Sequence, residues 1–212
     1  MYNNIITEPT FSVTQHDRKK NLFNIFLNNK QLLYSITKTK IIQNYTILDT
    51  GTSIMLKASS IKTYEEFKKS QKNTNKIDRL PHSILLKMIY YLSKQLSYLI
   101  TNHGKCFYTY EPNNIIVIDD NIFLCISQEH LTDIKNNDIY IYSPISTSNL
   151  YLSPELSSAK ILPIIINYKT IFYSLGLLVS ENLSSGISET KLNYFLERCL
   201  NKDPCERYLI YI

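Results

Sequence analysis

A chain of 212 residues is long enough for one sizeable domain or for two small lobes sharing a core. With 44% hydrophobic and 19% charged residues the composition is that of a globular protein, which excludes wholesale disorder. The net charge of +5 comes from lysines scattered along the chain and not from a basic stripe, so no nucleic-acid partner is expected.

The bias toward Ile, Asn, Lys and Tyr, with 17 Tyr, no Trp and 4 Gly, matches A/T-rich codons, such as those of a large DNA virus or certain parasites. The four cysteines, Cys106, Cys125, Cys199 and Cys205, contain no CxxC pair, and no histidine stands at zinc-ligand spacing. No metal is expected, and the thiols suit a reducing compartment. The start "MYNNIITEPTF" lacks the basic-then-apolar pattern of a signal peptide, and no apolar run approaches a membrane span. The expectation is a soluble, cytoplasmic protein without a membrane partner.

In chain order, "DRKKNLFNIFLNNKQLLYSI" (17–36) places Leu22, Phe23, Phe26 and Leu27 at helical spacing and predicts an amphipathic helix. "IIQNYTILDTGTSIMLKAS" predicts a hairpin with Gly51 in the turn, and "TYEEFKKSQK" a short helix. "PHSILLKMIYYLSKQLSYLITNHG" opens on Pro81 and closes on Gly104, with Leu85, Met88, Ile89, Leu92, Leu96 and Leu99 on one face. "NIIVI" and "NIFLCI" predict two strands joined at Asp119–Asp120, and residues 127–148 a polar, irregular connection. "IFYSLGLLV" predicts a buried helix, and "KLNYFLERCL" a final one with Leu192, Phe195, Leu196 and Cys199 inward.

That order and four short motifs resemble the protein-kinase fold, chiefly its C-terminal lobe. "EPNNIIVI" is similar to the end of a catalytic loop, and "LYLSPEL" to the motif that closes the activation segment. "FYSLGLLV" is similar to the central helix, and "LERCLNKDPCERYLI" to the late segment whose Arg pairs with the Pro-Glu carboxylate. The resemblance implies an α+β, kinase-like fold: a truncated N-lobe of helix and β-hairpin over residues 1–60, and a mostly helical C-lobe over 61–212. It implies a structural ion pair between Glu155 and Arg207.

Phosphoryl transfer needs a carboxylate to orient the nucleophile, and a carboxylate and an amide to hold magnesium. With the family's metal-binding Asn set on Asn114, Thr109 falls where the orienting Asp belongs, and Phe107-Tyr108 replace the His-Arg before it. Ile126-Ser127-Gln128 fall where Asp-Phe-Gly belongs, and no G-x-G-x-x-G exists. Asp119 and Asp120 sit in a hairpin turn and read as solvated turn residues.

The implied function is that of a catalytically inactive kinase-like protein, a pseudokinase, with no cofactor. It would act as a scaffold or regulator by binding another protein through Phe107, Tyr108 and Tyr110. Two alternatives stand beside it: a divergent phosphotransferase using Asn114, Glu111 and Lys57, the last paired with Glu65 or Glu66, and a structural component of a viral or other large assembly.

Overall fold

The computed structural model describes residues 2–8, 10–48, 51–75, 79–146, 149–183 and 190–209, and of residues 73–75 the backbone alone. Period-two burial shapes the first strands. β1 (Tyr2–Thr7) pairs antiparallel with β2 (Phe11–His16), which turns Phe11 and Val13 inward. β3 (Leu22–Leu27) buries Phe23, Ile25 and Leu27 while Leu22, Asn24 and Phe26 stay half-buried. α1 (Lys30–Thr37) starts at Asn29, whose side-chain oxygen accepts the N–H of Leu32 at 3.0 Å. β4 (Tyr45–Ile47) and β5 (Ser53–Lys57) complete a five-stranded antiparallel sheet of order β1-β2-β3-β5-β4.

β6 (Ile61–Thr63) leads into α2 (Tyr64–Asn75) through a capping box. Glu66 N–H reaches Thr63 Oγ1 at 3.2 Å, and Thr63 N–H reaches Glu66 Oε2 at 2.9 Å. α3 (His82–His103) runs from Pro81 to Gly104, which closes it in the left-handed conformation at φ 59°. Its predicted apolar face is buried throughout. Gln95 lies on that face, donating to Ser35 Oγ and to the Cys125 carbonyl and accepting from the Cys125 N–H. One buried amide therefore ties α1, α3 and the strand that ends at Cys125, with its donors and acceptor satisfied.

After β7 (Lys105–Phe107) come β8 (Ile115–Ile118) and β9 (Ile122–Cys125), which join β6 in a three-stranded sheet. Their turn holds Asp119 and Asp120 at φ 53°. Asp119 Oδ1 accepts the N–H groups of Ser59 and Ser60, and Asp120 pairs with Lys62 at 2.7 Å. These carboxylates are solvent-accessible turn residues, as expected, and also fasten the hairpin to the segment at residues 59–62.

β10 (Leu131–Lys135) and β11 (Asp138–Ile141) form a further hairpin about Asn136–Asn137. The short α4 (Pro154–Ser157) then precedes β12 (Ile164–Asn167), giving a third sheet of order β12-β11-β10-β7. α5 (Thr170–Glu181) and α6 (Lys191–Cys199) pack together, with Gly176 where they approach closely.

Three expectations are corrected. The kinase-like fold with a truncated N-lobe and a mostly helical C-lobe is not what the chain adopts: helix accounts for 37% and strand for 28%, and the described residues form three antiparallel sheets. The helix expected over 17–36 is a strand followed by a short helix, and the opening segment is a strand pair. The irregular connection expected over 127–148 contains the β10–β11 hairpin. In the turn expected before Gly51, residues 49–50 lie outside the described residues; the hairpin itself is β4–β5.

Candidate functional site

Between β7 and β8, and just after β9, Thr109, Glu111, Asn114 and Ser127 join one polar network with residues from α5 and the following loops. Phe107 ends β7 fully buried, and Tyr110 is fully buried with its ring 5.8 Å from that of Phe107. The Tyr110 N–H donates to Ser174 Oγ on α5 at 2.7 Å, and Ser174 Oγ lies 3.2 Å from Thr109 Oγ1. Asn149 spans Thr109 and Glu111, its amide donating to Thr109 Oγ1 at 3.3 Å and to Glu111 Oε1 at 2.6 Å.

On the other side of Glu111 stands His130, with Nε2 3.5 Å from Oε1. Its Nδ1 lies 3.4 Å from the Asn114 amide, its N–H donates to Ser127 Oγ, and its ring packs edge-on against Tyr108 at 5.0 Å. With Asn114 donating to Nδ1, the ring proton sits on Nε2 and faces Glu111. Burial drives both groups toward their neutral forms: it pushes the His130 pKa down to about 4 and raises that of Glu111, to which Glu129 adds. The imidazole is therefore neutral at pH 7, and the contact is a hydrogen-bonding approach rather than an ion pair. Beside it a shallow cavity of about 270 Å³ is lined by Glu111, Pro112, Asn113, Asn149 and Tyr151, among others.

Phe107 and Tyr110 thus cannot form the partner-binding surface expected of them, because neither exposes any side chain in the folded protein. Tyr108 is half-buried against His130, and burial pushes its pKa up to about 12. Phe107 and Tyr110 fill the space between α3 and the β7 sheet instead, where the Tyr110 hydroxyl lies 3.4 Å from the Leu92 carbonyl. Among the alternative phosphotransferase residues, Glu66 is turned back onto the start of α2, and Lys57 is exposed on β5. Among the described residues no group of three or more His, Cys, Asp or Glu side chains gathers for a metal ion.

Glu155 and Arg207 lie at opposite ends of the last sixty residues and meet in a bidentate pair. Nη1 reaches Oε1 at 2.5 Å and Nη2 reaches Oε2 at 3.0 Å. Arg207 is fully buried; its Nε donates to the Asn201 carbonyl at 2.7 Å and its Nη2 to the Lys202 carbonyl at 3.1 Å. The guanidinium also lies 4.8 Å from the Tyr173 ring. Burial alone would raise the Glu155 pKa, but the hydrogen bonds from Arg207 hold the carboxyl below its ordinary value.

The most exposed apolar side chains lie elsewhere, between residues 142 and 165. Leu150, Ile161 and Tyr142 are 83%, 82% and 71% exposed, and Ile165 and Leu162 are exposed beside them. Of these, Ile161 and Leu162 line a groove of about 270 Å³ walled also by Ile145, Leu152, Leu156 and Ile164, with Lys160 as the charged side chain on its wall. Sequence reasoning passed over this region. The available signal was "KILPIIIN", five apolar residues and a proline between a lysine and an asparagine, which fits no amphipathic helix.

No family model matches the chain, and no curated protein matches it significantly. The kinase resemblance is therefore set aside, since neither comparison supports it and the architecture it implied is absent, and neither comparison supports the viral source suggested by the codon bias.

Proposed function

We propose that this protein acts by binding another protein, as a scaffold or regulator, and not by catalysis. The observation that carries this reading is the groove beside β12, where Ile161 and Leu162 expose apolar area to solvent over a floor of Ile145, Leu152, Leu156 and Ile164. Exposed apolar area that lines a groove usually marks an interaction site. The occupant proposed is a protein of acidic surface, since the chain carries +5 and Lys160 stands at the groove. The polar network around Glu111 supports the same reading, because its donors and acceptors answer one another and brace β7, α5 and the loop at Asn149.

Cys106, Cys125, Cys199 and Cys205 are all free thiols, which favours a reducing, cytoplasmic setting. Among the described residues no helix is long and apolar enough to cross a membrane.

The test is capture of the partner from the native source, its identification, and measurement with the purified pair. Ile161→Glu combined with Leu162→Glu should weaken binding at least about tenfold while leaving thermal unfolding unchanged. Equal affinity of the folded double variant would remove this surface from consideration. Turnover of a substrate, abolished by Glu111→Gln or His130→Gln, would replace the binding reading with an enzymatic one.

A further inference from the structure

β12 forms one edge of its sheet. It pairs with β11 on one side, with Ile139 opposite Ile166 and Ile141 opposite Ile164. The Tyr168 N–H donates to the Asn137 carbonyl, which sets the alternation of the antiparallel ladder. Residues 164 and 166 then turn their backbone groups toward β11, and Ile165 and Asn167 turn theirs to the open side. The Tyr140 carbonyl, opposite Ile165, is consistent with this: it points away from β12 and accepts from Thr132 Oγ1 at 3.1 Å. An outward row of peptide groups on an apolar edge is a template for one more strand.

The groove lies on the same face of β12 as Ile164, whose side chain forms part of its wall. A strand added alongside β12 would drop alternate side chains toward Leu152, Leu156 and Ile145, while its backbone bonded Ile165 and Asn167. Resting on the binding reading above, we propose that the partner engages as an extended segment that adds antiparallel to β12. That segment places alternate apolar side chains in the groove and a carboxylate near Lys160.

A second copy of this chain is a poorer occupant. β12 is four residues, about 13 Å of strand, and Pro163 ends its donor row. A two-fold pairing of that length falls far short of the roughly 1,200 Å² that a stable interface buries, and it would bring two chains of +5 together. A peptide gains both the edge bonds and the groove.

The experiment pans a displayed library of random linear peptides, about twelve residues long, against the full chain. Recovered peptides are then measured by fluorescence polarisation. Apolar residues at alternate positions with an acidic residue at one end are expected. N-methylation along the best peptide should weaken binding at least about tenfold at every second position and little between them. Ile165→Pro removes an outward N–H on an edge strand and should cost a similar factor, and Lys160→Glu should select against acidic peptides. Strand addition is overturned if no peptide binds below about 100 µM, or if the N-methyl scan lacks a period of two. It is also overturned if the chain self-associates through this edge, seen as a dimer that Ile165→Pro converts to monomer. A native partner that tolerates Ile165→Pro but not the Ile161/Leu162 variant would sink strand addition alone and leave the binding reading standing.

Discussion

Replacing Arg207 with Ala tests the most concentrated set of interactions in the molecule. The guanidinium is fully buried, and the mutation removes both bonds to Glu155, those to the Asn201 and Lys202 carbonyls, and the contact with Tyr173. Removing one partner of a buried pair costs roughly 3–5 kcal/mol, chiefly because the other charge is stranded. The Glu155 side chain keeps 19% exposure, so water recovers part of that penalty, while two orphaned carbonyls add to it. The expectation is about 4 kcal/mol, or a fall in Tm of roughly 8–16 °C for a chain of this size. Urea unfolding followed by far-ultraviolet circular dichroism should show a lower midpoint at unchanged slope.

Arg207→Lys keeps a charge but not the planar fork, so it should recover less than half of the loss. The double variant Glu155→Gln, Arg207→Met should cost less than the sum of its parts by about 2 kcal/mol. The pH dependence has a definite sign. A carboxyl held below its ordinary value when folded contributes stability above the unfolded pKa, and loses it as pH falls through the folded one. The wild type should therefore shed this contribution below about pH 4.5, and Arg207→Ala should not. A cost under about 1 kcal/mol, or additive singles, would refute the claim that the pair anchors the end of the chain.

Gly176→Ala should destabilise by about 1–3 kcal/mol, despite the better helix propensity of Ala. Its Cβ would stand 2.8 Å from Leu200 Cδ2 and 3.0 Å from Cys199 Cβ, and the latter is fixed to α6; Gly176→Ser should be worse. His130 has its pKa pushed down to about 4 by burial, against about 6.5 in the unfolded chain. The unfolded state thus takes up the proton first, and stability should decline by up to about 3 kcal/mol between pH 6.5 and 4. Glu111 and Tyr108 face the ring and remain in place in His130→Gln, so a flattened limb in that variant's urea series would isolate the histidine.

The parts of the fold legible in the sequence were those with a single competent period. α3 has Pro81, Gly104 and an apolar face at 3.6 spacing, and its bounds follow directly. β3 was misread because Leu22, Phe23, Phe26 and Leu27 satisfy a helical spacing, whereas Phe23, Ile25 and Leu27 satisfy a strand spacing; the sheet partners decided. Two hairpins turn on the same chemistry, Asp119–Asp120 and Asn136–Asn137, all at positive φ. The first was seen because Ile and Val flank it, and the second was missed because Lys135 and Asp138 do. β12 gave no strand signal of its own, since three consecutive isoleucines carry no alternation.

The same limit explains the candidate site. Sequence identifies residue types, and Phe107, Tyr108 and Tyr110 are types found at interfaces, but burial belongs to the tertiary structure. Once β7 is laid beside β10, Phe107 and Tyr110 have only the interior to face, and Tyr110 settles with its hydroxyl 3.4 Å from the Leu92 carbonyl. Thr109, Ser174, Asn149 and Glu111 then direct their hydrogen bonds at one another, and each such bond lowers what the group can offer a substrate. Ile161, Leu162 and Ile165 stand in the opposite position: they contribute little to the core, and their exposure keeps apolar area in water at about 25 cal/mol per Å². A folded chain gains from that area only by covering it. This is why the surface at residues 142–165, rather than the bonded interior, is where the protein's function is sought.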